Sequence, residues 1–266
     1  MSQATPSFED LFNPEAGRAA HDVEPVRTSR WWASWESWLT LLLILLAQLP
    51  VIGSLQSSEW VEEMPSLVTT AMVGVAAGWL LAQSRLQATI AAFLGMIVGV
   101  GVVLMLVLQR VPIVDQAFGF GWSGRWHEFS LRMQAWGSAF WHASISTDPL
   151  PFVVLLVALV YVVVFLSCWA VVRWQNAWAA LIPGGIILLT NISYLPGQPS
   201  LGFIIFLLAS VLLVTRMEFI RAGARWRSER IALPEFMSLE VMFIGCVVAV
   251  VLVGAAWVVP TANHWG

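Results

Sequence analysis

Residues 174–215 read WQNAWAALIPGGIILLTNISYLPGQPSLGFIIFLLASVLLVT, with no Asp, Glu, Lys or Arg in the run. A bilayer core of about 30 Å needs about 20 apolar helical residues, so this run is long enough for two crossings. Near its middle stands Tyr194-Leu-Pro-Gly-Gln-Pro199. Proline has no N–H to give to a helix and its ring collides with the preceding turn, and a Pro-Gly step marks a turn. The run therefore reads as two membrane helices joined by a turn.

The same rule, applied outward, finds five more charge-free runs: 37–58, 64–84, 86–109, 149–172 and 241–266. Seven spans result, and the expected fold is an all-α polytopic membrane protein with one additional external amphipathic helix. Composition agrees. The chain is 59% hydrophobic and 11% charged, with a mean hydropathy of +0.79, whereas soluble domains carry about 25% charged residues. That excludes an ordinary soluble domain, and the wealth of large apolar side chains excludes a disordered chain.

All 13 basic residues are arginine. Positive charge is retained on the cytoplasmic side of short loops. An inside N-terminus puts Arg18, Arg27, Arg30, Arg85, Arg173 and the cluster Arg216, Arg221, Arg225, Arg227 and Arg230 in the cytoplasm, leaving only Arg110, Arg125 and Arg132 outside. The cluster's expected role is topological, through contact with lipid headgroups. The organisation that follows is a cytoplasmic tail 1–35, a membrane domain 36–260 with an external segment 110–148 and a cytoplasmic Arg-rich loop 216–240, and an external end 261–266. The tail lacks the basic start and short apolar core of a signal peptide.

Within the external segment, Trp126, Phe129, Met133, Trp136 and Phe140 recur at steps of three and four, one face of a helix. That face either lies on the membrane surface or packs on the bundle or on a partner outside, and aromatic anchors make it the candidate partner contact. Asp148-Pro149 reads as a cap and first-turn proline for the fourth span. Gly74/Gly78 and Gly95/Gly99 form two GxxxG patterns in spans two and three, small-residue faces that let helices approach closely. A short turn at Arg85 makes those spans neighbours, so the patterns support close packing of this pair of helices, without pointing to dimerisation.

The spans carry no ionisable side chain, although transporters usually place some along their path. Gln48, Thr69, Thr70, Ser167, Asn191 and Ser210 read as hydrogen-bonding groups between helices, and Pro183-Gly184-Gly185 as a packing kink. His21, His127, His142 and His264 all lie outside the spans, and Cys168 and Cys246 lie in apolar runs. No metal, cofactor or catalytic constellation is expected, and no basic stripe serves nucleic acid.

The order of these features resembles the N-terminal membrane region of bacterial transglutaminase-like TgpA proteins. The residues that carry the resemblance are Ser146-Thr-Asp-Pro-Leu-Pro-Phe152, Arg173-Trp-Gln-Asn-Ala-Trp178, Ala180-Leu-Ile-Pro-Gly184, Thr190-Asn-Ile-Ser-Tyr194 and the arginines before the last span. The resemblance implies a bacterial cytoplasmic membrane and an extracytoplasmic catalytic domain after the spans. No position here matches that domain's Cys, His, Asp triad, so none is carried over. The expected function is a non-catalytic membrane anchor or scaffold, in contact with lipid, that positions an extracytoplasmic domain or partner. The alternatives are an accessory subunit of a larger energy-transducing membrane complex and, least favoured by the uncharged spans, a transporter.

Overall fold

In the computed structural model each of the six charge-free runs is occupied by helix, the run 174–215 by two. The structure describes residues 35–58, 60–61, 64–112, 121–142, 144, 147–194, 201–228 and 237–258. Eight helices lie among them: α1 Trp35–Ser57, α2 Leu67–Gln83, α3 Ala88–Leu108, α4 Trp122–Trp141, α5 Leu150–Val172, α6 Ala177–Tyr194, α7 Leu201–Ser228 and α8 Met237–Val258. No strand occurs among the described residues. Five helices, α1, α3, α5, α6 and α7, are long and apolar enough to cross a membrane. Helix α2 is apolar but has 17 residues, about 26 Å of axis.

At the starts of α2 and α6 polar side chains satisfy free N–H groups. Ser66 caps α2 by accepting from Thr69 N–H at 3.3 Å, and Gln56 Oε1, reaching over from the end of α1, accepts from Leu67 N–H at 2.8 Å. Asn176 Oδ1 accepts from Ala179 N–H at the start of α6, just after Gln175 turns the chain through φ 49°. Helices α6 and α7 stop and start at Tyr194 and Leu201, on either side of the turn signal; 195–200 lie outside the described residues.

Two boundaries differ from the sequence reading. The Arg-rich segment expected as a loop from 216 is helical as far as Ser228. Hydropathy marks where the apolar solvent would end, and Arg is a good helix former, so the helix continues past the last apolar turn. Arg230 and 261–266 lie outside the described residues, as does the tail through 34. Helix α5 begins at Leu150, with Pro151 inside its first turn, one residue later than the reading that made Pro149 its first residue.

Contacts at the helix ends sort into two groups. Asn191, near the end of α6, donates to Ser54 O at 2.9 Å and accepts from Ser58 Oγ at 2.9 Å, at the end of α1. That end also holds the start of α2, the end of α3 and the start of α5, which line one cavity. At the opposite end, Arg173 Nε donates to Ala82 O at 3.1 Å, and its Nη2 donates to Ser84 O at 3.1 Å and Leu86 O at 2.8 Å. Arg221 there donates to Gln175 O, and Arg216 Nε donates to Thr40 Oγ1 at 2.8 Å. These contacts are those of helices running alternately up and down. Arg85, Arg173, Arg216 and Arg221 gather at the second end, where Arg173 and Arg221 meet carbonyls at and just beyond helix ends.

Helix α5 is the hub. It is buried on most of its circumference, and its Tyr161, Phe165 and Trp169 rings stack in series with centroids 5.9 and 5.8 Å apart. Both GxxxG patterns face this helix. A Cβ on Gly78 would stand 2.9 Å from Cys168 Cβ and from Phe165 O; one on Gly95 would stand 2.3 Å from the Phe165 ring, and one on Gly99 2.4 Å from the Tyr161 ring. The short turn at Arg85 does bring α2 and α3 side by side. The glycine rows of both nonetheless point at the bulkiest neighbour, because only there does a missing side chain make room for an aromatic ring. The Tyr161 hydroxyl, carried into this space, donates to Gly95 O at 2.8 Å.

Candidate functional site

The end of the bundle that holds α4 contains the residues singled out for partner contact. Helix α4 starts after Gly121, whose φ of 100° suits glycine and strains other residues. Its aromatic face divides. Phe129 is buried and belongs to the main core, and Met133 packs partly buried against that core. Trp126 stacks on Phe129 at 5.7 Å but keeps half its surface exposed. Trp136 stacks on Phe140 at 5.9 Å, and both remain exposed, as does Trp141 beyond them. The first half of the face is therefore seated on the bundle and the second half is bare.

An ion pair that the sequence reading did not anticipate holds this helix down. Arg132 Nε donates to Asp148 Oδ2 at 2.6 Å and Nη2 donates to Oδ1, a two-point geometry that guanidinium and carboxylate favour. Asp148 Oδ1 also accepts from Leu150 N–H at 2.9 Å, so one carboxylate both caps α5 and anchors α4. The hydrogen bond from Arg132 holds the Asp148 carboxyl below its ordinary 3.8, and the same bond raises the Arg132 guanidinium. A carboxylate whose folded pKa is depressed contributes stability above its unfolded pKa and loses it as pH falls through the folded value.

Asp148→Asn should therefore lower stability at neutral pH by about 1 kcal/mol, as expected for a partly exposed two-point pair. It should also flatten the dependence of stability on pH below about 4. Unfolding of the detergent-solubilised chain between pH 7 and pH 3 checks this: acid sensitivity equal to that of the unaltered chain would remove the pair as its cause.

Of the polar residues within the spans, Gln48, Ser167 and Asn191 bond between helices. Gln48 Nε2 donates to Ser167 Oγ at 3.0 Å and to Ala180 O at 3.2 Å, one turn before Pro183. Gly184 leaves room for the Gln48 amide, whose Oε1 is buried without a partner. Thr70 Oγ1 donates back to Ser66 O, Thr69 Oγ1 meets Ser66 Oγ, and the Ser210 hydroxyl is buried without a partner. Each of these bonds is local or joins two neighbouring helices, the ordinary use of such residues in apolar surroundings.

The arginine cluster is divided. Arg216 is buried inside the protein against Thr40, while Arg221 pairs with Glu218 at 2.6 Å near the surface. Arg225 and Arg227 continue α7 toward Ser228. Sequence spacing could not separate Arg216 from the others, because its partner is 176 residues away.

Among the described residues, no group of three or more His, Cys, Asp or Glu side chains is placed to hold a metal. No protein-family model, curated protein or solved structure matches the chain.

Proposed function

We propose that this chain is a seven-span, non-catalytic scaffold of the bacterial cytoplasmic membrane, with its N-terminus in the cytoplasm, that presents α4 outside as the docking ridge for an extracytoplasmic domain or partner. The observation that carries this reading is the division of α4. Phe129, Met133 and the Arg132–Asp148 pair fasten one part to the bundle, while Trp136, Phe140 and Trp141 stand exposed on a helix thus held rigid. Preorganised aromatic side chains are effective anchors, because little freedom is lost when they are covered. The gathering of Arg85, Arg173, Arg216 and Arg221 at the opposite end supports the cytoplasmic assignment of that end. The transglutaminase-like resemblance supplies one candidate for the docked domain, and the membrane role carries no catalytic step of its own.

Variants at Trp136 test both parts. In intact cells Trp136→Cys should react with a membrane-impermeant thiol reagent; reaction only after lysis would reverse the orientation. Trp136→Ala should release a co-purifying partner while leaving thermal stability unchanged. Phe129→Ala should instead destabilise the chain itself by about 3 kcal/mol, as large-to-small core changes do. A partner retained by Trp136→Ala would overturn the docking role.

A further inference from the structure

Arg110, Arg125 and Arg132 are the exceptions to the positive-inside distribution, and all three lie at the α4 end of the bundle. Two of them line a cavity of about 190 Å³ whose remaining wall is Val61, Pro65, Val107, Val111, Pro112, Pro149, Leu150 and Val153. At about 30 Å³ per water, that space holds a phosphate group and its ester carbons. Asp148 takes up Nε and Nη2 of Arg132, and Nη1 has no partner among the described residues. The Arg110 side chain is exposed and has neither hydrogen bond nor ion pair among the described residues. One turn before Phe129 on α4, Arg125 Nε is buried without a partner. Asp148 pairs with Arg132 and Glu128 lies within its electrostatic reach, whereas Arg110 is the cation on the cavity wall that no acid contacts among the described residues, above an apolar floor.

The cavity also has the right depth. It is framed by the start of α2, the end of α3 and the start of α5, where apolar helix gives way to polar connection, the level of lipid phosphates. A guanidinium with free donors over an aliphatic wall is complementary to a molecule with an anionic phosphate beside hydrocarbon. We propose that this cavity binds the phosphate of an anionic phospholipid headgroup, with Arg110 as its principal donor, Arg132 Nη1 as its second, and Val107, Leu150 and Val153 against the glycerol and first acyl carbons. The site rests on the reading that the helices cross a membrane, but neither on their orientation nor on partner docking.

The test uses the full chain in neutral detergent, titrated with dioctanoyl phosphatidylglycerol, with dioctanoylglycerol and with inorganic phosphate, and read by native mass spectrometry. Saturable binding of the phosphatidylglycerol is expected, with that of dioctanoylglycerol weaker by on the order of tenfold, the value of one charge-assisted hydrogen bond. Arg110→Gln should lose a similar factor with no change in thermal stability, because that side chain makes no contact the fold needs, and Arg110→Lys should recover part of it. Failure of inorganic phosphate to compete assigns the site to lipid; competition assigns it to a free phosphate and keeps the residues. Equal affinity of Arg110→Gln and the unaltered chain, equal binding of dioctanoylglycerol, or no saturable binding would each overturn the site. Failure of the membrane reading itself would show separately, as a chain that stays soluble when detergent is removed.

Discussion

Gly78→Val should lower the unfolding free energy of the detergent-solubilised chain by about 3 kcal/mol, at the upper end of the usual cost of overpacking. The reason is what the new side chain meets. A Cβ at position 78 comes within 2.9 Å of Phe165 O and Cys168 Cβ and 3.3 Å of Phe165 Cα. These atoms belong to the backbone and first side-chain carbon of α5, so no rotamer change relieves the contact and the two helices must part. Parting α2 from α5 undoes an extensive helix pairing among the described residues. The control is Gly101→Ala on α3, where a Cβ meets nothing within 4 Å. There the change should be neutral or stabilising by about 0.5–1 kcal/mol, since alanine loses less backbone entropy in a helix. A loss at Gly101 as large as that at Gly78 would mean that helix propensity, not contact between α2 and α5, governs both.

The second large effect is a coupling. Phe165→Ala should cost about 3–4 kcal/mol, the range for emptying a buried aromatic site, because its ring is 7% exposed and lies between Tyr161 and Trp169. Gly95→Val should cost a similar amount for the opposite reason: its Cβ would overlap that ring at 2.3 Å. Together the two changes should cost less than their sum by roughly 1–3 kcal/mol, since valine at 95 enters the space that phenylalanine vacates. Strict additivity, measured by a double-mutant cycle of unfolding, would show that the two positions do not share that space. The Tyr161 hydroxyl reports independently, since its bond to Gly95 O is made across the same contact.

Much of the architecture was legible because the physics behind it is local. A helix that would face lipid must satisfy its own backbone and cover itself with apolar side chains, so runs without charge marked helices at seven places, and Pro196 and Pro199 marked the division between α6 and α7. The 3.6-residue period located α4, and Ser167, Asn191 and Gln48 were legible as interhelical hydrogen-bonding residues because a polar group among apolar ones needs a partner. Their particular partners were not legible. Gln48 meets Ser167 across 119 residues of sequence, and no spacing rule reaches that far.

The candidate site shows the same division more sharply. Asp148 was readable as a cap, a role played with the next few residues, but not as the anchor of Arg132, which requires α4 to lie across the start of α5. The aromatic face of α4 was readable as a single stripe. Only packing decided that Phe129 and Met133 are covered while Trp136 and Phe140 are bare, because a helix resting on a bundle of finite width covers only the part of its stripe that lies over a neighbour.

By itself, then, the sequence determined which segments are helices, where they are interrupted, which ends gather arginine, and that no strand or charged span is needed, since each of these depends on residues within a few turns of one another. The tertiary structure alone decided that both glycine pairs make room for α5, that Arg216 turns inward to Thr40 while Arg221 stays near the surface, and that Arg110 and Arg132 share one cavity. These depend on which helices become neighbours. That choice is made by the fit of ring into groove and of one buried donor to one acceptor, between residues that the chain brings together only when it is folded.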